Sequence, residues 1–348
     1  MKTTLLTGCA LVALLLGTWA PQVAAQNDTP EGDERAGTAA AEYLLLPVSA
    51  RTAALGSSLT GGLAGMSAVE AVQANPAALM VNPGTSAQFS RMEYVADIGV
   101  NYLGVAQRFG NNSIALTATS WDYGDIPETT ESSPEVTDVT FDAGSIVVGL
   151  SLARQFTDRI AAGVTVKALN ERIDDISASG VAFDAGMTYV VGESGLRFGV
   201  SLKNFGTGME YGGGGLASRT TIDPVTGVTV ASEISSLKSE LPSLLNFGAT
   251  YTRALAGDLN VTALANFRSM AYDQDEYSFG LEADYMRLFY VRGGLLMTQE
   301  MDASFYQGWN AGAGLSLDLS GTTIAVDYAY RATEFFDGVN LFTVGLTL

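Results

Sequence analysis

Histidine is absent from this 348-residue sequence, and cysteine occurs once, at Cys9. Histidine is the commonest general base and the commonest metal ligand in proteins, so its absence removes the most frequent form of both kinds of site. The single cysteine lies in a segment that we predict to be cleaved. The mature chain would then have no disulfide, no thiol catalysis and no cysteine-bound metal. We therefore predict that the protein is not an enzyme and holds no cofactor and no metal.

Charged residues are also scarce. They make up 16% of the chain, and the mean hydropathy is +0.20, which is apolar for a soluble protein. After the first twenty residues, however, no stretch reaches the roughly 18 uninterrupted apolar residues of a membrane helix. Such a chain, with 39 glycines, 14 tyrosines and 15 phenylalanines, favours a transmembrane β-barrel over a large soluble β-sandwich. The net charge of −19 argues against nucleic-acid binding, which requires a basic surface.

The first 25 residues have the three parts of a secretory signal peptide. Lys2 supplies the positive start, Leu5 to Leu16 the apolar core, and Val23-Ala24-Ala25 the small-residue cleavage site. Cys9 follows Leu6-Thr7-Gly8, which is similar to a lipoprotein motif, but too little apolar sequence precedes it for lipidation. Residues 26–42 are polar and charged, and we predict a flexible leader there.

Residues 43–85 form a segment rich in small residues, in which only Arg51 and Glu70 are charged. A flexible linker would be polar and charged, so we predict an N-terminal plug, or hatch, that lies in the mouth of a barrel. A short helix is expected around residues 68–73. Pro76 bars Asn75 from helical geometry, and the turn that results either gates the lumen or is needed only for folding. The predicted plug and gate residues are Arg51, Gly56, Asn75, Pro76 and Ala77.

From residue 86 to the end, apolar and polar residues alternate with the period of two that is typical of strands. Phe198 and Val200 face one way, for example, whereas Arg197 and Ser201 face the other. The predicted strands are 86–95, 97–108, 112–122, 143–154, 159–170, 179–191, 195–206, 243–254, 257–269, 275–286, 288–298, 306–318, 321–331 and 339–348. We therefore predict that residues 86–348 form an all-β fold, a transmembrane antiparallel barrel of about 14 strands with an apolar outer surface and a polar lumen.

The predicted connections alternate between short and long, and 123–142 and 207–242 are the longest. Short periplasmic turns and long outer loops are the rule for outer-membrane barrels. Because short and long connections alternate in this order, the plug and the carboxyl terminus are expected on the periplasmic side. The last strand resembles the terminal strand recognised by the barrel-assembly machinery. Aromatic residues at strand ends, expected at the membrane interfaces, are Trp121, Tyr277, Tyr285, Trp309 and Tyr330.

Charged residues on the lumen side of the predicted strands suggest a network. Glu282 and Asp284 lie two apart on one strand and could be an acid–base pair, but Arg268 and Arg292 on the neighbouring strands would hold both ionised. We therefore favour a structural network over a catalytic one. The predicted members of this lumen charge network are Arg268, Glu282, Asp284, Arg292, Asp327 and Arg331.

Two long loops are candidate sites. The acidic residues Asp122, Asp125, Glu128 and Glu131 could bind Ca²⁺ through oxygen ligands, but their spacing matches no known calcium loop, and a solvated loop is favoured. Residues 216–241 alternate enough to form a small hairpin outside the membrane. Leu103, Leu169 and Leu264 are candidates for lining an apolar cavity near the outer rim.

Two motifs in the plug segment carry a family resemblance. Residues 49–56, Ser-Ala-Arg-Thr-Ala-Ala-Leu-Gly, and residues 75–79, Asn-Pro-Ala-Ala-Leu, resemble the amino-terminal signature of the PorV/PorQ family. Leu55 stands where the family usually has Met, and Ala78 where it has Gly. The resemblance covers about thirty residues. It implies a bacterial outer-membrane barrel similar in fold to the FadL fatty-acid transporters.

The resemblance also implies a function. A PorV/PorQ-type protein would handle exported proteins at the outer membrane in a type IX secretion-like pathway, with the two long loops in contact with secreted proteins or secretion-machinery subunits. The alternative is a FadL-like channel for uptake of hydrophobic small molecules. A third reading, an acidic porin, is less favoured, because many bulky residues precede the first strand. The expected partners are therefore outer-membrane lipid and either exported proteins or a hydrophobic small molecule.

Overall fold

The computed structural model of the protein describes residues 37–82, 84–129, 134, 139–223, 228–299 and 305–348. The predicted signal peptide and most of the predicted leader lie outside the described residues, as does Glu131 of the acidic loop. The segment boundaries at residues 25 and 42 stay predictions. Within the described ranges, no helix combines the length and the apolar character that crossing a bilayer requires.

Fourteen long strands close into a single barrel in the part of the chain that is described. The barrel strands are β1 Thr85–Glu93, β2 Gly99–Phe109, β3 Asn112–Pro127, β4 Thr140–Gln155, β5 Ile160–Ile173, β6 Ile176–Val190, β7 Leu196–Gly206, β11 Leu244–Ala256, β12 Leu259–Met270, β13 Glu276–Tyr285, β14 Phe289–Met297, β15 Tyr306–Leu319, β16 Thr322–Thr333 and β17 Val339–Thr347. Three shorter strands, β8 Gly212–Gly213, β9 Ala217–Asp223 and β10 Val228–Glu233, lie in the connection between β7 and β11. Each barrel strand pairs antiparallel with its neighbours, β7 pairs with β11, and β1 closes the ring on β17. The predicted all-β barrel of 14 strands is confirmed.

Side chains along each strand alternate between the lumen and the outer surface, because successive residues of a strand point to opposite faces. In β2, Tyr102 is 2% exposed and faces inward, whereas the next residue, Leu103, is 55% exposed. Small and polar residues such as Ser86 and Ser90 are buried toward the lumen in β1, and Phe89 between them is exposed. An apolar outer surface around a closed barrel is the surface that faces lipid in a transmembrane barrel.

Two predicted connections differ from the structure. The connection expected at 171–178 is a tight turn at Asp174 and Asp175, because β5 and β6 stay paired up to Ile173 and Ile176. The predicted loop 123–142 begins later, because β3 and β4 continue across a bulge between Asp122 and Asp125. Both pairs of strands therefore extend beyond the predicted strand ends on the long-loop side.

The long connection between β7 and β11 carries the predicted hairpin. β9 and β10 pair antiparallel, and Ile234 N donates to Leu216 O at 2.9 Å where the hairpin ends. Met209 and Leu241, at the two ends of the connection, are buried against residues of the barrel. The connection is therefore anchored at its base and carries the hairpin outside the ring of barrel strands.

The N-terminal segment lies inside the barrel and is built from short helical pieces. These are 3-10 turns at Glu42–Leu45, Leu59–Gly61 and Pro76–Met80, and two α-helices, α1 Ala50–Ala54 and α2 Ala68–Ala74. Ser49 caps α1, since its hydroxyl accepts from Thr52 N. α2 ends at Asn75, which is extended (φ −159°, ψ 121°) as its position before Pro76 predicts. The residues of α1 are all buried, so this segment, called the plug below, is part of the barrel's core.

Inward-facing glycines of the wall make room for the plug. A side chain at eight of them would press on it: a Cβ at Gly163 would lie 2.6 Å from Pro76 C and O, for example, and one at Gly294 would lie 2.5 Å from Gly56 N. Six further wall glycines meet plug atoms within 3 Å in the same way: Gly104, Gly186, Gly199, Gly248, Gly280 and Gly312. The plug backbone therefore approaches the wall as closely as only glycine allows.

Candidate functional site: the plug and the cavities beside it

Arg51 in α1 joins the plug to the barrel wall. Its Nη2 lies 2.5 Å from Glu282 Oε1, and its Nε donates to Glu282 Oε2 at 2.8 Å. Arg292 Nε donates to the same Oε2 at 2.6 Å, and Arg292 also pairs with Asp327. All four residues are buried, so they form an ion network between the plug and strands β13, β14 and β16. We call these four residues the plug network.

Three predicted members of the lumen charge network lie elsewhere. Arg268 Nη1 lies 2.7 Å from Glu276 Oε2, and the predicted pairing of Arg268 with Glu282 and Asp284 is wrong. The reason is register: Glu282 stands opposite Thr262 in β12, six residues from Arg268. Asp284 instead accepts a hydrogen bond from Asn260 Nδ2 at 3.0 Å.

Arg331 also lies apart from the plug network. Its Nε donates to Asn310 Oδ1 at 3.2 Å, and its guanidinium carbon lies 3.9 Å from the centre of the Tyr306 ring. Of the six predicted residues, the structure thus brings together Glu282, Arg292 and Asp327. The sequence reasoning missed that Arg51 of the plug completes their network.

Glu70 in α2 is the second charged residue of the plug. It is buried, and Ser49 Oγ donates to its Oε1 at 2.9 Å. Burial raises the pKa of the Glu70 carboxyl from an ordinary 4.5 to about 7, against the opposing effect of Arg51. Glu70 is therefore a plug residue whose charge changes near neutral pH.

The Asn75-Pro76-Ala77 turn holds the plug against β5, β6 and β7. Asn75 Nδ2 donates to Thr60 O at 3.0 Å and to Met187 O at 3.1 Å, and Asn75 Oδ1 accepts from Ala77 N at 3.0 Å. Asn75 is fully buried. The side chain thus ties two parts of the plug to a wall strand, an arrangement that suits both a structural turn and a gate.

A cavity of about 670 Å³ opens on the long-loop side of the plug. Its lining includes Tyr43 and Pro47 of the plug segment, Trp121 and Glu171 of the wall, and the connection at Asp273. We call it the outer cavity. Its volume is within the range of about 300–1,000 Å³ that is usual for small-molecule sites.

A smaller pocket of about 120 Å³ lies between the plug and β3 to β7. Seven residues line both it and the outer cavity, so the two spaces adjoin; they are Tyr43, Leu45, Leu46, Pro47, Ser57, Trp121 and Arg268. Polar groups stand on the far side of this inner pocket, where Lys167 lies 2.7 Å from Asp184 and Lys203 Nζ donates to Gln73 O at 2.7 Å. The inner pocket ends against α2, which blocks the way onward.

Aromatic rings form one side of the outer cavity. The Tyr43 and Trp121 ring centres are 5.6 Å apart, those of Tyr94 and Trp121 are 5.9 Å apart, and those of Phe305 and Tyr306 are 4.9 Å apart. Trp121 was expected at the membrane interface but is 4% exposed and faces the lumen. Trp121 lies an even number of residues from the inward-facing Ser113 and Ala115 of β3, so the alternation along the strand predicts that it also faces inward.

The leucines expected to line an outer-rim cavity do not line it. Leu103 faces outward. Leu169 is buried in a cluster with residues of the long connection, and Leu264 is buried in a separate cluster with plug residues. Of the other predicted interface aromatics, Tyr277, Tyr285 and Trp309 are exposed on the outer surface, and Tyr330 is half-buried beside Trp309. Across the described residues, no group of three acidic residues is placed to hold a metal ion.

Comparison with protein-family models gave no match, and comparison with curated proteins gave none either. Solved structures do match. The CymD monoaromatic hydrocarbon channel aligns with a TM-score of 0.52 at 11% identity over 86% of this chain and 97% of its own. A Pseudomonas aeruginosa FadL homologue aligns with a TM-score of 0.52 at 12% identity over 86% of this chain and 98% of its own.

At such identities the likeness concerns the fold. The finer resemblance to the PorV/PorQ family stays a prediction, because a FadL-like barrel is what the two structures share with this chain. The antiparallel barrel of this chain agrees with these neighbours over 86% of its length. The chain has the fold of a FadL-like bacterial outer-membrane barrel.

Proposed function

We propose that the protein is an outer-membrane channel for uptake of hydrophobic small molecules, with the plug as its gate. The observation that carries the proposal is the outer cavity of about 670 Å³, which adjoins the inner pocket and ends against the plug. A structural neighbour is a monoaromatic hydrocarbon channel, which supports the same function. Catalysis has no part in the proposal.

Opening requires the plug to move, because α1 and α2 fill the lumen. The proposed gate elements are the Arg51 contact with Glu282, the close approach of Gly56 to β14, and the turn from Asn75 to Ala77. A ligand in the inner pocket would press on α2 and on the Thr60 carbonyl that Asn75 holds. Release of these contacts would open a path toward the periplasmic side.

A reversible cross-link tests both the channel and the gate. A Cβ at Gly280 would lie 2.6 Å from Ser58 Oγ, one bond from the Ser58 Cβ, so Ser58→Cys with Gly280→Cys has β-carbon spacing near that of a disulfide. We expect cells with this double variant to take up a labelled monoaromatic hydrocarbon when it is reduced and to lose uptake when it is oxidised. Each single variant is the control, and oxidation should leave its uptake unchanged.

Uptake that persists in the oxidised double variant would reject the plug as the gate and leave the channel standing. Uptake no faster than in cells without the protein, in every form of the variant, would reject the channel itself.

A second candidate is the PorV/PorQ-type secretion role. It is favoured by the projecting connection between β7 and β11, where Leu237 is 89% exposed and Ile234 is 62% exposed. Residues 217–233 can be replaced by a short Gly-Ser turn, since Leu216 and Ile234 are hydrogen-bonded neighbours. Exported proteins that copurify with the full chain from solubilised outer membranes, and are lost with this variant, would support the secretion role. Copurification of none would remove it.

A further inference from the structure

The outer cavity carries carboxylates that no cation neutralises. Among the described residues, Glu276 is paired with Arg268, but Glu42, Glu171 and Asp273 form no ion pair. Burial and the charge of Asp273 raise the pKa of Glu42, and both acids line the same cavity. A cavity expected to admit a purely apolar molecule has no need of such groups.

Glu171 in β5 is the acid that points most directly to a ligand. It is 8% exposed, and Tyr211 donates its hydroxyl to Oε2. The other oxygen, Oε1, is buried and has no hydrogen-bond partner among the residues that the structure describes. An uncompensated buried carboxylate oxygen is costly, which is why buried charges in proteins are normally paired.

The Tyr43 hydroxyl lines the same cavity as Glu171 and is likewise buried. Burial, the Glu171 charge and a hydrogen-bonding contact with Glu171 raise the pKa of Tyr43. The hydroxyl nevertheless makes no hydrogen bond of normal geometry with a described residue. The pair is therefore an acidic spot in the cavity wall whose polar atoms are not fully used by the described residues.

Neither arginine of the cavity is available to Glu171. Arg268 is bound to Glu276, and Arg331 lies over the Tyr306 ring and donates to Asn310. The lining has four acidic residues, Glu42, Glu171, Asp273 and Glu276, against two arginines. The cavity thus has a net negative potential when empty.

Aromatic rings line the same cavity as these acidic residues. The Trp121 ring contacts those of Tyr43 and Tyr94, with ring centres 5.6 and 5.9 Å away, and all three residues line the cavity. The faces of such rings attract cations, and recognition of organic ammonium groups by aromatic residues is the best-known use of this attraction.

We infer that the outer cavity binds a hydrophobic organic cation, an apolar ring-bearing molecule whose ammonium group lies between the Tyr43 and Trp121 rings and Glu171. The inference rests on the proposed channel function and names its ligand class. The aromatic wall and the apolar plug residues Leu45 and Leu46 receive the body of the molecule. A neutral hydrocarbon would leave Glu171 without a partner, and an anion would be repelled.

Three probes of similar size separate these cases: phenyltrimethylammonium, the neutral isostere tert-butylbenzene, and benzoate. Binding is measured by equilibrium dialysis against the full chain in phosphatidylcholine nanodiscs, with empty nanodiscs subtracted for partition into lipid. We expect phenyltrimethylammonium to bind about tenfold more tightly than tert-butylbenzene, which corresponds to about 1.4 kcal/mol, and benzoate to bind most weakly.

Glu171→Gln is the test variant, and Glu334→Gln is its matched control. Glu334 is an exposed acid of the outer connection after β16, outside the cavity lining, and its loss changes the net charge equally. We expect Glu171→Gln to abolish the preference for the cation while tert-butylbenzene still binds as before, which also shows that the variant is folded. Glu334→Gln should keep the preference.

Equal binding of cation and isostere to the unaltered chain, or a preference that survives Glu171→Gln, would overturn the inference. In that case, uptake of the neutral hydrocarbon that responds to the plug cross-link would leave the channel function intact. Absence of binding by all three probes, together with absence of uptake, would instead reject the channel function.

Discussion

Two adjacent glycines of β14, Gly293 and Gly294, allow a matched test of the plug's fit to the wall. A Cβ at Gly294 would lie 2.5 Å from Gly56 N and 2.6 Å from Ala54 O, both plug backbone atoms. A Cβ at Gly293 would have no heavy atom nearer than 4.0 Å, because this residue faces the other side of the strand. Gly294→Ala should therefore displace the plug, and Gly293→Ala should not.

The expected size follows from these contacts. Alanine in place of glycine within a strand is by itself stabilising by about 0.5–1 kcal/mol, and both variants share this gain. Forcing a methyl group into a filled space costs about 1–3 kcal/mol, and only Gly294→Ala bears this cost. This cost arises where the plug contacts the wall, so it destabilises the docked plug relative to the displaced one. The population of channels with a displaced plug should therefore rise roughly 5- to 150-fold.

Single-channel conductance in planar bilayers measures that population directly. Gly294→Ala should spend much more time in a conducting state than the unaltered chain, and Gly293→Ala should be indistinguishable from it. The loss of fast migration on heating in detergent gels shows whether the barrel itself remains stable. Equal open times for the two variants, with both barrels intact, would refute the argument that the glycines exist to admit the plug.

Three further predictions concern the polar contacts of the plug. Arg51→Met leaves Glu282 with one cation instead of two and should weaken plug docking by about 3–5 kcal/mol, seen as longer open times, whereas Arg172→Met on the exposed rim should not. Asn75→Ala deprives Thr60 O and Met187 O of their donor, so the barrel's melting temperature should fall by the equivalent of about 1–3 kcal/mol. Glu70 binds its proton more tightly in the docked state, so docking should weaken as the pH rises from 4.5 through about 7, and Glu70→Gln should remove this dependence of the open time.

Much of the barrel could be predicted because its signal is local. Each of the fourteen strands appears in the sequence as a run of period two, and the chain order of strands is also their order around the ring. The ends of β3 and β4 were harder to predict, because Asp122 and Asp125 are turn-forming residue types. Here both pair with β4, one on each side of a bulge. The tight turn at Asp174 and Asp175 was not predicted for a similar reason: the polar residues on both sides of it indicated a longer loop.

The site was less predictable, because its contacts join distant parts of the chain. Arg51 and Glu282 are 231 residues apart, and no spacing rule connects a plug residue to a wall residue. Register decides which wall charges meet: Arg292 stands opposite Glu282, whereas Arg268 stands opposite Glu276. The inward direction of Trp121 was available from its parity but was outweighed by the usual place of tryptophan at membrane interfaces.

The charges of the plug network explain why so apolar a segment keeps an arginine. Glu282, Asp327 and Arg292 of the wall sum to one negative charge, and Arg51 brings the total to zero when the plug is docked. A plug without this arginine would cover an uncompensated buried charge, which is costly. Glu70 adds one negative charge to the balanced set when it ionises, so its proton determines whether the docked region is neutral. Protonated Glu70 thus favours the docked plug at low pH, and ionised Glu70 weakens docking at high pH.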